Sequence, residues 1–99
     1  MLYHMKAKRL FYDRKDYPDG AIAELTIWQV PEPVAGSAHD LKYSLFYGYP
    51  SQRVVGYDNE RGKGDHRHLA DQEKPYTFTT VEALIADFVA DVRKFRGDL

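Results

Sequence analysis

The sequence contains no cysteine, which excludes disulfides, thiolate metal sites and thiol nucleophiles. A chain without thiols is compatible with a reducing compartment, and the cytoplasm is the expected location. No apolar run approaches the roughly 18 residues that a membrane span requires. The opening segment, Met1-Leu2-Tyr3-His4-Met5-Lys6, also lacks the long apolar core of a secretory signal. The chain is therefore expected neither to be exported by that route nor to enter a bilayer. An excess of one charge is missing too, since 14 Lys+Arg face 15 Asp+Glu for a formal charge of −1. Binding nucleic acid by bulk electrostatics relies on a net basic face that releases counterions, so any such contact must use a local patch. Two patches qualify: Lys6, Lys8, Arg9, Arg14 and Lys15, and then Arg53, Arg61, Lys63 and Arg67. For both, solvated surface charge is the competing reading.

What is present is the composition of an ordered globular chain. At 99 residues it is long enough for one core and short for two, so a single domain over 1–99 is expected. Its aromatic share of 14%, mostly eight tyrosines, suits strands with large amphipathic side chains. Residues 6–13 read as a first strand, and Asp16-Tyr17-Pro18-Asp19-Gly20 as the turn of a hairpin. Ala21, Ala23, Leu25 and Ile27 then alternate with Ile22, Glu24, Thr26 and Trp28, a period of two that defines the clearest strand. Pro31-Glu32-Pro33 stops it, because proline has no amide to donate to a ladder, and 34–40 reads as a flexible loop. A third strand runs from Leu41 to Tyr49, a short fourth covers Arg53 to Tyr57, and a fifth is expected around Pro75 to Phe78.

The last third carries one helix. Val81, Leu84, Ile85, Phe88, Val89, Val92 and Phe95 form a single apolar stripe at helical spacing, and such a stripe needs a sheet to cover it. Thr79 with Glu82 fits a capping box, Thr80 competes as N-cap, and Gly97 is placed to close the helix in a left-handed conformation. Strands followed by one helix give an α+β fold: an antiparallel sheet of about five strands packed on one C-terminal amphipathic helix.

Chemistry concentrates in Tyr57-Asp58-Asn59-Glu60-Arg61-Gly62-Lys63-Gly64-Asp65-His66-Arg67-His68. His66 and His68 can give and take protons near neutral pH, and beside cations they suit acid-base work on a phosphate. On RNA, one imidazole would remove the 2′-hydroxyl proton, while the other, or Lys63 and Arg67, would serve the leaving group and the phosphorane charge. Tyr57 would stack on a base and Asp58 would orient a histidine. Gly62 and Gly64 would let amides and the Lys63 ammonium approach an anion, with Arg61 beside them. A P-loop is a poor match, because five residues separate Gly56 from Gly62 and Gly64 replaces the magnesium-binding Ser/Thr. His66 and His68 with Asp58 or Asp65 would alternatively hold a metal, and strand-edge capping is the plain reading of the pair. No cofactor is expected. His39 and His4 read as solvent-exposed spectators, and Trp28 with Tyr43, Tyr47 and Tyr49 as core packing or, alternatively, as a stacking platform.

Tyr57-Asp58-Asn59, Gly62-Lys63-Gly64, His66-Arg67-His68, Glu73, Pro75-Tyr76 and the helix start Val81-Glu82 together resemble the TumE-type toxin family of bacterial toxin-antitoxin systems. Members often carry a further histidine near the Glu60-Arg61 position, which this chain lacks. The resemblance implies a small cytoplasmic toxin neutralised by a protein antitoxin encoded beside it, with a helix-turn-helix DNA-binding domain. The leading expectation is a toxin that acts on RNA as a metal-independent ribonuclease. A non-catalytic module that docks the same loop on protein or nucleic acid is the alternative, and a homodimer is left open.

Overall fold

The computed structural model describes residues 7–97; His4 and Lys6, named above, lie outside them. Among the described residues, six antiparallel strands follow one another across a single sheet in chain order: β1 (Lys8–Asp16), β2 (Ile22–Gln29), β3 (Leu41–Tyr49), β4 (Gln52–Glu60), β5 (Gly64–Leu69) and β6 (Gln72–Pro75). Among the described residues, one helix, α1 (Val81–Arg96), follows the last strand. The α+β class is as the sequence implies, with one more strand than expected. None of the helices among the described residues is long and apolar enough to cross a membrane.

The alternation in β2 sets the two faces of the sheet. Ala23, Leu25 and Ile27 are buried toward the helix, joined by Leu41, Tyr43, Leu45 and Tyr47 of β3 and by Val55 and Tyr57 of β4. Leu84, Phe88 and Val92 of α1 complete this core. The opposite parity, Thr26 and Trp28 in β2, Lys42, Ser44 and Phe46 in β3, Asp58 in β4, His66 and His68 in β5, belongs to the other face, which no helix among the described residues covers.

Several boundaries differ from the sequence reading. The first strand is shifted to Lys8–Asp16, and a bulge between Arg9 and Phe11 interrupts its pairing. The presumed site segment is not a loop: β4 continues to Glu60 and β5 begins at Gly64, leaving a turn at 61–63. The strand expected at 75–78 lies at Gln72–Pro75, because the ladder ends where Pro75 offers no amide. Tyr76 and Phe78 instead pack on the core from the connection into α1.

At the helix start, Thr80 is the cap and accepts from Ala83 N at 3.0 Å, so the position that a capping-box acid would fill is an alanine. Gly97 closes the other end at φ 78, its amide donating to Arg93 O. The apolar stripe is broken in its C-terminal half. Asp91 is buried within it, whereas Phe95 is 49% exposed, because Arg96 takes the inner position, its guanidinium 3.8 Å above the Tyr17 ring and donating to Tyr47 Oη at 3.0 Å.

Candidate functional site

Pairing between β4 and β5 places Gly56 opposite His68, Tyr57 opposite Arg67, Asp58 opposite His66 and Asn59 opposite Asp65. Because side chains alternate along a strand, the twelve-residue segment is divided between two faces. Asp58, His66 and His68 meet on the open face. Tyr57, Arg67 and Asp65 turn to the helix side.

The helix side is a closed hydrogen-bond system. Arg67 grips Asp91 of α1 in bidentate fashion, Nε at 3.0 Å and NH2 at 2.8 Å. The buried Tyr57 hydroxyl donates to the same carboxylate. Burial, and then that bond, push the Tyr57 phenol above its ordinary range. Further along, Asp65 accepts from Ser37 Oγ at 2.6 Å, Tyr43 Oη at 2.6 Å and His39 Nε2 at 2.7 Å. Burial alone would raise the Asp65 carboxyl, but these three bonds outweigh it and hold it below the usual carboxylate value. His39 is thus no spectator: its ring packs 4.1 Å from that of Phe78, and its Nδ1 accepts from Leu41 N. The 30–40 loop is thereby pinned to the core rather than free. Its Ala35 carbonyl takes the Gly62 amide at 2.7 Å, and Gly36 sits against Gly64 so closely that a Cβ on Gly64, whose φ is 78, would lie 2.8 Å from Gly36 O.

The open side is different. His66 Nδ1 lies 2.9 Å from the Gly64 carbonyl. A carbonyl only accepts, so Nδ1 holds the proton, and in the neutral ring Nε2 keeps its lone pair, 3.7 Å from Glu73 Oε2. His68 takes the opposite tautomer. Arg53 NH2 is 2.9 Å from its Nδ1, and a guanidinium only donates, so the proton sits on Nε2, 3.8 Å from Asp58 and 3.9 Å from Glu73. Burial first, and then the charge of Arg53, lower the His68 pKa below the ordinary histidine value, keeping the ring neutral at neutral pH. Around His68 a depression of about 420 Å³ is lined by Lys42, Ser44, Arg53, Asp58, Lys63 and Glu73, among others.

Of the residues the sequence singled out, the structure therefore brings together His66, His68, Asp58 and Lys63. Lys63 reaches Glu60 at 3.6 Å from the turn, and Arg61 is exposed beside it. Gly62 and Gly64 shape that turn at φ 84 and 78, but the amides of Gly62 and Lys63 are already bonded to Ala35 O and Glu60 O. Tyr57 and Arg67 are not brought to this face, and neither is Asp65, the alternative metal ligand. Among the described residues, no three His, Asp or Glu are grouped so as to hold a metal ion.

Sequence reasoning named Arg53 only in a basic patch and Glu73 only among the family motifs, assigning neither to the site, and passed over Lys42. Glu73 pairs with His68 across β5 and β6, and was hidden by the misplaced strand. The register shift between Tyr47 and Gly48 leaves Val54 of β4 unpaired between Arg53 and Val55, so parity does not assign the face of Arg53. The signal for it was Gly56: a Cβ there would lie 2.7 Å from Arg53 Cδ, so glycine leaves the groove through which Arg53 reaches His68.

No curated protein and no solved structure matches the chain. A family model described as Toxin TumE matches residues 4–96, and the chain belongs to that family.

Proposed function

We propose that this chain is the toxin of a type II toxin–antitoxin pair and acts in the cytoplasm on RNA, as a metal-independent endoribonuclease with its site on the open face of the sheet. The carrying observation is the pair of imidazoles in complementary tautomers on one face, with His68 in a depression shared with Arg53, Lys42 and Lys63. His66 is the base: Nε2 takes the proton of a 2′-hydroxyl, the 2′-oxygen bonds to the adjacent phosphorus, and the bond to the 5′-oxygen breaks. The departing oxygen receives a proton from the Lys63 ammonium. The products are one RNA end with a 2′,3′-cyclic phosphate and one with a 5′-hydroxyl. Arg53, Lys42 and the His68 Nε2–H stabilise the charge gathering on the phosphorane oxygens. Asp58 and Glu73 orient the two rings, and Glu73 supports the proton gained by His66. Tyr57 and Arg67 serve from beneath, holding β4 and β5 to α1 through Asp91.

The cognate antitoxin is a protein encoded beside the toxin, with a helix-turn-helix domain. A non-catalytic module is the second reading. It is favoured by Asp58, Glu60 and Glu73, which make the depression mixed in charge and suited to a protein surface.

Induced expression of the chain alone in bacteria separates the toxin from an inert module. Growth should slow, co-expression of the neighbouring open reading frame should restore it, and a His66→Ala/His68→Ala variant should be harmless at an equal soluble level. Normal growth with abundant soluble wild-type protein would contradict the toxin reading.

A further inference from the structure

The open face does not end at the histidines. Register runs from Tyr12 to Thr26, Ser44, Asp58 and His66 as one row across five strands, and Trp28 sits in the neighbouring row opposite Lys42 and Arg9. Beside Trp28 lies a second, apolar depression of about 240 Å³, lined by Ala7, Thr26, Trp28, Val30, Lys42 and Ser44 among others. Lys42 and Ser44 line both depressions, so the two adjoin. We infer that Trp28 and this depression bind an unpaired base of single-stranded RNA, on the same strand whose phosphate lies at the histidine cluster; the inference rests on the RNA substrate proposed above.

The chemistry of the two depressions is complementary. The one at His68 offers cations and hydrogen-bonding groups fit for a phosphate, whereas the one at Trp28 offers an indole and apolar walls fit for the face of a base. Three inter-strand steps of ~4.8 Å and two residues of ~3.4 Å separate Trp28 from His66, roughly 16 Å in all. That distance is spanned by a few nucleotides. Lys42 stands between the two, its ammonium donating to Asn59 O at 3.1 Å, placed for an intervening phosphate. Arg9 is exposed, and its guanidinium lies 5.5 Å from the Trp28 ring and 4.9 Å from that of Tyr12; guanidinium planes stack on bases as they do on indole. The tyrosine row is a different case. Tyr43 and Tyr47 are buried in the core on the opposite face, and Tyr49, of the same parity, packs against that core, so Trp28 alone of the aromatic platform suggested by the sequence shares a face with the histidines. A duplex hides its base faces and would not fit.

Trp28 is the sole tryptophan, so its emission reports base stacking without any label on the protein. The full chain carrying His66→Ala/His68→Ala, to prevent turnover, is titrated with a short mixed-sequence single-stranded RNA while its anisotropy is followed in parallel. Tryptophan emission should be quenched saturably with the same midpoint as the anisotropy, and a duplex of equal length or inorganic phosphate should leave it unchanged. Trp28→Ala should weaken binding about tenfold or more, and Trp28→Phe by less, in line with one stacked base. RNA that binds by anisotropy with unchanged emission, or that binds Trp28→Ala as tightly as the parent, would overturn the base site while leaving the RNA substrate in place. Absence of RNA binding by any probe would overturn both.

Discussion

The two faces of the β4–β5 hairpin are built from alternate residues of one segment, yet their charges are handled in opposite ways. On the helix side every named partner is in close contact: Arg67 meets Asp91 at 2.8 Å, and Asp65 is held at 2.6–2.7 Å by Ser37, Tyr43 and His39. On the open side the ion pairs are loose, at 3.6 Å for Lys63–Glu60, 3.7 Å for His66–Glu73, 3.8 Å for His68–Asp58 and 3.9 Å for Arg53–Asp58. Distances of that kind are too long for settled hydrogen bonds and contribute little to stability in water. A buried charge left unpaired costs several kcal/mol, so the inner face must be saturated to fold. The outer face is free of that constraint, and its donors and acceptors remain able to exchange partners with a ligand.

The largest expected effect tests that contrast directly. Asp91→Ala removes the acceptor of both Tyr57 and Arg67 and should cost about 3 kcal/mol, the low end for breaking a buried pair, because Arg67 keeps some access to solvent. Asp58→Ala on the open face should change stability by less than about 0.5 kcal/mol. Chemical denaturation measures both, and equal losses would end the distinction. An intermediate effect is expected for Gly64→Ala, about 1–3 kcal/mol, because a left-handed φ and the approach of Gly36 O both oppose a Cβ.

The smallest effect is electrostatic. Removing Arg53 takes away a charge that lowers the His68 pKa, so Arg53→Ala should raise it. Gly56→Ala should do the same by displacing the Arg53 side chain. A titration of the His68 ring by NMR measures the shift. The linkage has a definite sign: with its folded pKa below 6.5, His68 favours the fold fully above pH 6.5, and that contribution is lost as pH falls through the lowered value. Both variants should therefore lose less stability on acidification than the parent. An unchanged or lowered His68 pKa in Arg53→Ala would show that the guanidinium does not set its state.

Much of the fold was legible because it is written in periodicity. The alternation of Ala21 to Trp28 and the stripe from Val81 to Val92 require a half-buried strand and a helix packed on a sheet, and both are present. The histidine pair was legible by composition, and the toxin family by the motifs around it. Less legible was which residues share a face. Tyr57 and Arg67 lie among the site residues in sequence, but the same period of two that unites His66 with His68 sends them to Asp91, an acid concealed in an otherwise apolar stripe. Loop residues were the least readable. His39 stands in a polar stretch, and only its contact with Asp65, 26 positions away, makes it structural. Likewise Glu73 joins the histidines through a ladder whose location depended on where Pro75 ends it.

The central claim is that the open face, with His66 as base, cleaves RNA. Purified wild-type protein incubated with single-stranded RNA in excess chelator should cut it and leave 2′,3′-cyclic phosphate ends, and His66→Ala should lower the rate by about 10²–10⁴-fold, the usual share of a positioned base, with its fold intact by circular dichroism. Cleavage that continues undiminished in His66→Ala, or that vanishes on adding chelator, would contradict the account.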